Sequence, residues 1–221
     1  MGCGRWRVVA GLGAAAIVAA GWSPRAQEPA RTPVAVQTVR GSRASAPDVL
    51  AVWVTRADEM LHDGRLDIGP VQADTMLPRR LHERLVQRYE GLPVFGGQLV
   101  RQTSSGAVVS VMGRVYDGVS LPTVEPAIDA GTAGAAAARD LGSGAVAGRA
   151  ELGVLPRPSG AVLVYRIDVR SPTDVQVYYV NARNGTVEAH RSQILHGTEA
   201  VTSGAGVLGD TKKVSAQATS G

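Results

Sequence analysis

Residues 82–97, HERLVQRYEGLPVFGG, decide the fold of this chain of 221 residues. Two apolar-rich runs, residues 81–89 and 94–101, flank the joint Glu90-Gly91-Leu92-Pro93. Glycine allows backbone angles that other residues avoid, and proline fixes φ, so this joint is typical of a tight chain reversal. The stretch therefore predicts two antiparallel strands that are joined by a hairpin turn.

The first of these strands contains an incomplete zinc-protease pattern. His82 and Glu83 match the start of H-E-x-x-H, but Val86 stands where the second histidine is required. The full pattern binds zinc because two imidazoles one helical turn apart share a helix face. Since the partner is missing and the local pattern favours a strand, His82 is not predicted to be a zinc ligand.

The same stretch resembles a known protein family. The positions that carry the resemblance are His82, Arg84, Gln87, Tyr89, Gly91, Pro93, Val94, Phe95, Gly96 and Gly97. They are similar to the signature of the fungalysin/thermolysin propeptide (FTP) domain, which precedes the catalytic domain of secreted thermolysin-like zinc metallopeptidases. The resemblance implies that these side chains hold the hairpin together, with direct contact to the protease as the alternative.

The N-terminus has the pattern of a signal peptide. Arg5 and Arg7 precede an apolar or small-residue run at 8–20, which is too short to span a bilayer as a helix. Cleavage is expected after Ala26, with Ala20 as the alternative site, and an uncleaved short anchor is the competing interpretation. The sequence therefore predicts a secreted protein, extracellular or periplasmic, with no stable membrane insertion after cleavage.

Charge and cysteine content narrow the possible partners. Without residues 1–26, the 23 basic residues become 20 against 19 acidic ones, so the net charge falls from +4 to +1. No run of like charge remains, and nucleic-acid binding is not expected. The single cysteine also lies in the removed segment, so the mature chain is predicted to have no disulfide.

The rest of the chain predicts an α+β fold with two small domains, each an antiparallel sheet with one helix. Aromatic residues make up only 4% of the chain, so a core of Val, Leu and Ala packed in sheets is expected. The predicted segments are a signal peptide at 1–26, a flexible linker at 27–46, an FTP-like domain at 47–122, a second domain at 123–193, and a junction with the start of a catalytic domain at 194–221.

Helices are predicted near 47–62 and 128–141, the second with Asp129 as N-cap and Gly142 as C-cap. A glycine-rich loop follows at 142–148. The predicted strands are 81–89, 94–102 and 107–116 in the first domain, and 151–155, 161–169, 175–180 and 186–191 in the second. Alternation along 162–169 predicts one buried and one wet face.

The second domain resembles PepSY, the other half of thermolysin-like proregions. The matching residues are Tyr165 in one strand and the turn that contains Asn181 and Gly185. The family commonly has Asp at the position of Asn181, and Asn suits the same turn geometry.

The C-terminal segment contains G-x-G-x-x-G at 204–209, but no good strand precedes it and no helical pattern follows, so nucleotide binding is not expected. Residues 206–213 instead resemble the start of a thermolysin-like catalytic domain. On that resemblance the processing junction is predicted at Ile194, Leu195, His196 and Gly197.

The sequence contains no catalytic motif and no metal-ligand spacing, so no catalytic residue, metal ligand or cofactor is assigned to this chain. The resemblance implies the proregion of a secreted zinc metalloendopeptidase, acting as intramolecular chaperone and inhibitor of a catalytic domain in cis. That catalytic domain, with its zinc, is expected to be missing from the chain. The alternative is a stand-alone secreted PepSY/FTP module that binds or inhibits proteins.

Overall fold

The computed structural model describes residues 32–193 and, as backbone only, the strands at 199–205 and 211–217. The elements of these described residues are β1 (Ala35–Ser42), α1 (Pro47–His62), β2 (Leu66–Ala73), β3 (Arg80–Tyr89), β4 (Leu92–Ser104), β5 (Ala107–Asp117), α2 (Ala130–Leu141), β6 (Val146–Leu155), β7 (Val162–Arg170), β8 (Val175–Asn181), β9 (Val187–Ser192), β10 (Glu199–Ala205) and β11 (Thr211–Gln217). The fold is α+β and consists mostly of sheet, which confirms the predicted fold class.

One sheet runs through both halves of the described chain. Its strand order is β1-β5-β4-β6-β7-β8-β9, and β3 and β2 branch from β4. Neighbouring strands are antiparallel except β4 and β6, which form a parallel contact between Val94 and Val154. Strand β4 therefore connects the first group of strands to the second.

Helix α1 covers one face of β1–β5. It begins at Pro47, whose missing N–H costs nothing in a first turn. Its buried side chains recur every three to four residues and pack on a row of strand residues. The cluster comprises Leu50, Trp53, Ala57 and Met60 of the helix with Val39, Leu66, Leu85, Leu99, Val111 and Val115 of the strands.

Helix α2 covers one face of β6–β8. Asp129 caps it as predicted, since its side chain accepts a hydrogen bond of 2.7 Å from the backbone N–H of Thr132. Ala133 and Ala137 are fully buried, and a Cβ on Gly134 would lie 3.3 Å from the Cβ of Ala147. The small residues of this helix thus allow close approach to the sheet, which offsets the low helix propensity of glycine.

The structure corrects the predicted linker. Part of residues 27–46 forms strand β1, which pairs with β5 from Ala35 to Ser42. Most of its side chains are exposed, so the sequence lacks a buried-strand pattern, yet the backbone is held by a partner about 75 residues further along the chain. The division into domains at 47–122 and 123–193 stays a prediction.

Two strand boundaries and the burial pattern of one strand also differ from the predictions. Leu92 and Pro93 belong to β4, because Glu90 and Gly91 alone form the turn, with φ of 48° and 81°. Strand β6 begins at Val146, inside the predicted glycine-rich loop, since a bulge between Ala147 and Ala150 absorbs the irregular sequence. In β7 the first four residues are buried on both faces, and alternation begins only after Tyr165.

The C-terminal strands β10 and β11 form an antiparallel hairpin. The prediction that no good strand precedes the glycine pattern at 204–209 is therefore wrong. The next described element is nevertheless a strand, whereas a pyrophosphate-binding fingerprint needs a helix there. The predicted signal peptide and the junction at Ile194–Gly197 lie outside the described residues. No helix within the described part of the chain is both long and apolar enough to cross a membrane.

Candidate functional site

The segment 82–97 lies where β4 leaves one group of strands and joins the other. From Gln98 onwards, β4 pairs with β5, whereas its N-terminal part pairs with β6 through Val94 and Val154. Gly96 stands at the change of partner with φ of 84°, a conformation that favours glycine. A side chain there would also approach the Tyr116 hydroxyl at 3.1 Å.

Gln87 compensates for the backbone partner that β5 loses at this point. It is only 4% exposed. Its Nε2 donates to the carbonyl oxygen of Tyr116 at 2.7 Å, and its Oε1 accepts from the N–H of Tyr116 at 2.8 Å. The side-chain amide thus imitates a strand pairing. Gly97 leaves room for it, since a Cβ at that position would lie 2.5 Å from Oε1.

Phe95 carries the contact from β4 to the second group of strands. Its ring meets Tyr179 of β8 edge to face, with ring centroids 5.4 Å apart. The ring lies over Gly153 of β6, where a Cβ would be 2.6 Å from the ring carbons. Phe95 is the chain's only phenylalanine, and the structure uses it to hold two groups of strands together.

The other residues of the hairpin also make contacts within the fold. The Tyr89 hydroxyl accepts a hydrogen bond of 3.2 Å from the N–H of Leu121, which fixes the connector to α2. Gly91 closes the turn, and Pro93 lies opposite Arg88 in the strand pair. Arg84 differs from them, since it is exposed and its guanidinium donates only to the side chain of Gln98, at 3.2 Å.

His82 belongs to a chain of four polar side chains. Its Nδ1 accepts from Nε2 of Gln102 at 3.1 Å, and Oε1 of Gln102 accepts from the Ser110 hydroxyl at 2.7 Å. His82 Nε2 therefore carries the hydrogen, which it donates to Asp74 at 2.9 Å. The neighbouring Glu83 binds Nε of Arg101 at 2.6 Å.

These contacts do not fit a zinc site. Both nitrogens of His82 are engaged by protein groups, and Glu83 is paired with Arg101. Within the described residues, no three His, Cys, Asp or Glu side chains are arranged to hold a metal ion. His62 and His190 are described too, and His190 stacks on Tyr178 at 5.3 Å and bonds Gln176.

The contacts of Asp74 predict a specific dependence of stability on pH. The hydrogen bond from His82, followed by those from the N–H groups of Met76 and Leu77, lowers the pKa of Asp74 to about 2. In the unfolded chain the pKa is about 3.9. Because the folded pKa is the lower one, this stabilisation is complete above the unfolded value and is lost as the pH falls through about 2.

We expect the free energy of unfolding of the wild type to fall more steeply between pH 5 and 2 than that of Asp74→Asn. Asparagine keeps an acceptor for the two backbone N–H groups but does not titrate. Urea unfolding at several pH values measures both proteins. Parallel pH profiles would show that Asp74 does not titrate as the contacts require, and Asp67→Asn is a control at an exposed carboxylate.

The residues that carry the PepSY resemblance lie near the start of α2 and in the turn after β8. The Tyr165 hydroxyl donates to the carbonyl oxygen of Ile128 at 3.1 Å, and burial, helped by the charge of Asp129, raises the pKa of Tyr165. Asn181 accepts from the N–H of Arg183 at 2.9 Å, and Gly185 has φ of 75°, so both form the turn after β8.

Several partners could not be found from the sequence. Asp74, Gln102 and Ser110 come from three separate segments and meet His82 only through the sheet. Gly153 is a sequence signal for one of these contacts, because an isolated glycine in a predicted strand indicates that another group approaches the backbone closely. Here that group is the ring of Phe95.

Comparison with known proteins supports the interpretation of this hairpin. A search of curated proteins gave no match. Among solved structures, the C-terminal domain of Bacillus megaterium YpeB is 13% identical, with a TM-score of 0.37, covering 72% of this chain and 89% of that chain. A candidate lipoprotein from Clostridium difficile 630 is 12% identical, with a TM-score of 0.28, covering 63% of this chain and 92% of that chain.

Both TM-scores are low, so neither likeness establishes a shared fold. The family comparison covers β3, β4 and most of β5, which include His82 with Gln102 and Ser110 of its polar chain, the amide of Gln87 and the ring of Phe95. Residues 82–115 of this chain match the family model described as Fungalysin/Thermolysin Propeptide Motif.

Proposed function

We propose that this chain is the proregion of a secreted thermolysin-like zinc metalloendopeptidase, and that it acts as intramolecular chaperone and inhibitor of the catalytic domain in cis. The observation that carries the proposal is the propeptide motif at residues 82–115. The contacts of His82, Gln87 and Phe95 support it, because through these contacts the motif residues hold the strands of the sheet together.

The physical logic of a tethered proregion fits both activities. A preformed sheet offers a surface on which a slow-folding catalytic domain is ordered at lower entropic cost. The covalent tether gives a high effective concentration, so a contact of modest affinity suffices for inhibition. Cleavage at the proposed junction, Ile194–Gly197, removes the tether and releases the enzyme.

Secretion and metal content follow from the same proposal. Residues 1–26 act as the signal peptide, and the chain matures outside the cytoplasm. In this proposal the zinc belongs to the catalytic domain. Hydrolysis is therefore assigned to the partner domain.

Titration of purified residues 27–221 into thermolysin tests the proposal. We expect micromolar concentrations to inhibit cleavage of a peptide substrate, and the yield of active enzyme refolded from denaturant to rise when the chain is present. Serum albumin serves as a control for competition by any protein substrate, and mass spectrometry checks that the chain remains intact. If the chain neither inhibits thermolysin nor improves its refolding, the proposal is contradicted.

A further inference from the structure

On the sheet face opposite α1, strands β1, β5, β4 and β3 each carry exposed side chains, whereas Ser110 of β5 is buried. Side chains alternate between the faces of a strand, so residues next to the buried core positions point away from the helix. Val39, Val111, Leu99 and Leu85 pack against α1. Their neighbours Arg40, Met112, Val100 and Arg84 consequently point to the opposite side.

Three rows of side chains cross this face in register. One row consists of Arg40, Met112, Val100 and Arg84. A second consists of Thr38, Arg114, Gln98 and Val86. The third consists of Ser42, Ser110, Gln102 and His82. We call these three rows together the basic face.

The basic face carries positive charge that no carboxylate neutralises. Arg40, Arg84 and Arg114 are exposed, and none of them forms an ion pair within the described residues. The three rows contain no Asp or Glu. Elsewhere in the described chain several arginines are paired, such as Arg101, which binds both Asp58 and Glu83.

In β2, at the margin of this face, Asp67 lies opposite Val86 and so continues the second row, and both Asp67 and Asp74 have partners of their own. Asp67 binds Arg88 at 3.3 Å, and Asp74 binds His82 at 2.9 Å. The positive charge of the basic face is thus left for a group outside the described residues.

The centre of the face is apolar and concave. Met112 is 43% exposed, and it lies between Arg40 and Val100 in the register. A groove of about 800 Å³ runs beside it and is lined by residues of β1, β4 and β5, including Arg40, Gln98 and Arg114. An apolar centre with charges around it is the usual anatomy of a protein interface.

We propose that the basic face docks on an acidic, partly apolar surface of the metalloendopeptidase catalytic domain. This inference rests on the proposed function and names the surface that performs it. The three arginines select a partner with carboxylates facing Arg40, Arg84 and Arg114, and an apolar group of the partner packs against Met112. The face spans four strands about 4.8 Å apart, so its area is modest and the tether supplies the remaining affinity.

A folded protein partner fits this face better than a membrane or a nucleic acid. Membrane and nucleic-acid surfaces attract dense clusters of Lys and Arg, whereas the basic face has three arginines separated by Met112, Val100 and Gln98. A concave apolar centre matches a convex group on a protein, and carboxylates can be spaced around such a group.

The test compares two matched triple variants of residues 27–221 as inhibitors of thermolysin. One is Arg40→Ala/Arg84→Ala/Arg114→Ala. The control is Arg149→Ala/Arg170→Ala/Arg183→Ala, which removes three other arginines that are exposed and form no ion pair within the described residues. Both variants lose the same charge, so any effect of net charge alone is equal.

We expect the first variant to raise the inhibition constant about tenfold and the control to leave it nearly unchanged. Inhibition by the wild type is expected to weaken as sodium chloride increases, because salt screens exposed charges beyond about 10 Å at 0.1 M. The double variant Arg40→Gln/Arg114→Gln keeps the bond between Arg84 and Gln98. If the triple variant unfolds at a lower temperature than the wild type, the double variant replaces it in the comparison. The double variant is also expected to raise the inhibition constant.

The outcomes separate this inference from the proposed function. If the wild type inhibits and the two triple variants inhibit equally well, or are weakened equally, the docking face is wrong and the proposed function stands. If the wild type neither inhibits nor assists refolding, both fall. Binding to phosphatidylglycerol vesicles that depends on the three arginines, with unchanged inhibition of thermolysin, would also overturn the inference.

Discussion

Replacing Gln87 by alanine is expected to lower the free energy of unfolding by about 3 kcal/mol. The amide of Gln87 makes both hydrogen bonds to the backbone of Tyr116, where β4 has already turned toward β6. Without it, the N–H and carbonyl of Tyr116 lose their partners in a partly buried site. A buried polar group without a partner costs about 1–3 kcal/mol.

Chemical unfolding of Gln87→Ala, Gln87→Glu and Gln98→Ala measures this effect. Glutamate keeps an acceptor for the N–H of Tyr116 but places a charge against its carbonyl oxygen, so this variant should be destabilised although its size is unchanged. Gln98 is exposed and its side chain accepts a single exposed hydrogen bond from Arg84, so Gln98→Ala should cost little. Equal stability of all three variants would show that the amide of Gln87 does not hold the strands.

The second large effect is expected at Gly113, in the middle of β5. A Cβ there would lie 2.2 Å from the carbonyl oxygen of Gln98 and 2.9 Å from the Cα of Leu99. The backbone φ of 142° is itself unfavourable for other residues. Both neighbouring atoms belong to the backbone of β4, so the strand pair has to move apart if a side chain is added.

Gly113→Ala is therefore expected to lose about 4 kcal/mol of stability, or to fail to fold at 37 °C. Gly106→Ala is the matched control. Gly106 also has a positive φ, 81°, but a Cβ there would meet nothing within 4 Å, so a cost of about 1 kcal/mol is expected. Thermal unfolding followed by circular dichroism compares the two, and similar losses would contradict the steric argument.

Local signals in the sequence predicted the helices well. Pro47 and His62 bound α1 as expected, and Asp129 caps α2 through its own side chain. These signals work because a helix end is decided by residues within a few positions of it. The turn at Glu90 and Gly91 was found for the same reason, although Leu92 and Pro93 were assigned to it in error.

The features that the sequence did not predict depend on distant partners. Strand β1 is mostly exposed and is held by β5, far along the chain. The passage of β4 to β6 depends on a contact between Val94 and Val154. The motif residues Gln87 and Phe95 owe their roles to this passage, so the resemblance identified them while their contacts had to come from the structure.

The basic face, too, could not be predicted from the sequence alone. Arg40, Arg84 and Arg114 are scattered in the sequence and form no charge run, and the small net charge of the predicted mature chain gives no hint of them. Only the strand register brings them to one face, around Met112. Charge patches built by a sheet are invisible to composition because adjacent strands need not be adjacent in sequence.

The most direct test of the central claim is the sequence of the gene downstream of the codon for Gly221. If the chain is a metalloendopeptidase proregion, the same reading frame continues into a domain with an H-E-x-x-H helix and a later glutamate as third zinc ligand. A stop codon directly after Gly221 in the intact gene would contradict a catalytic domain in cis.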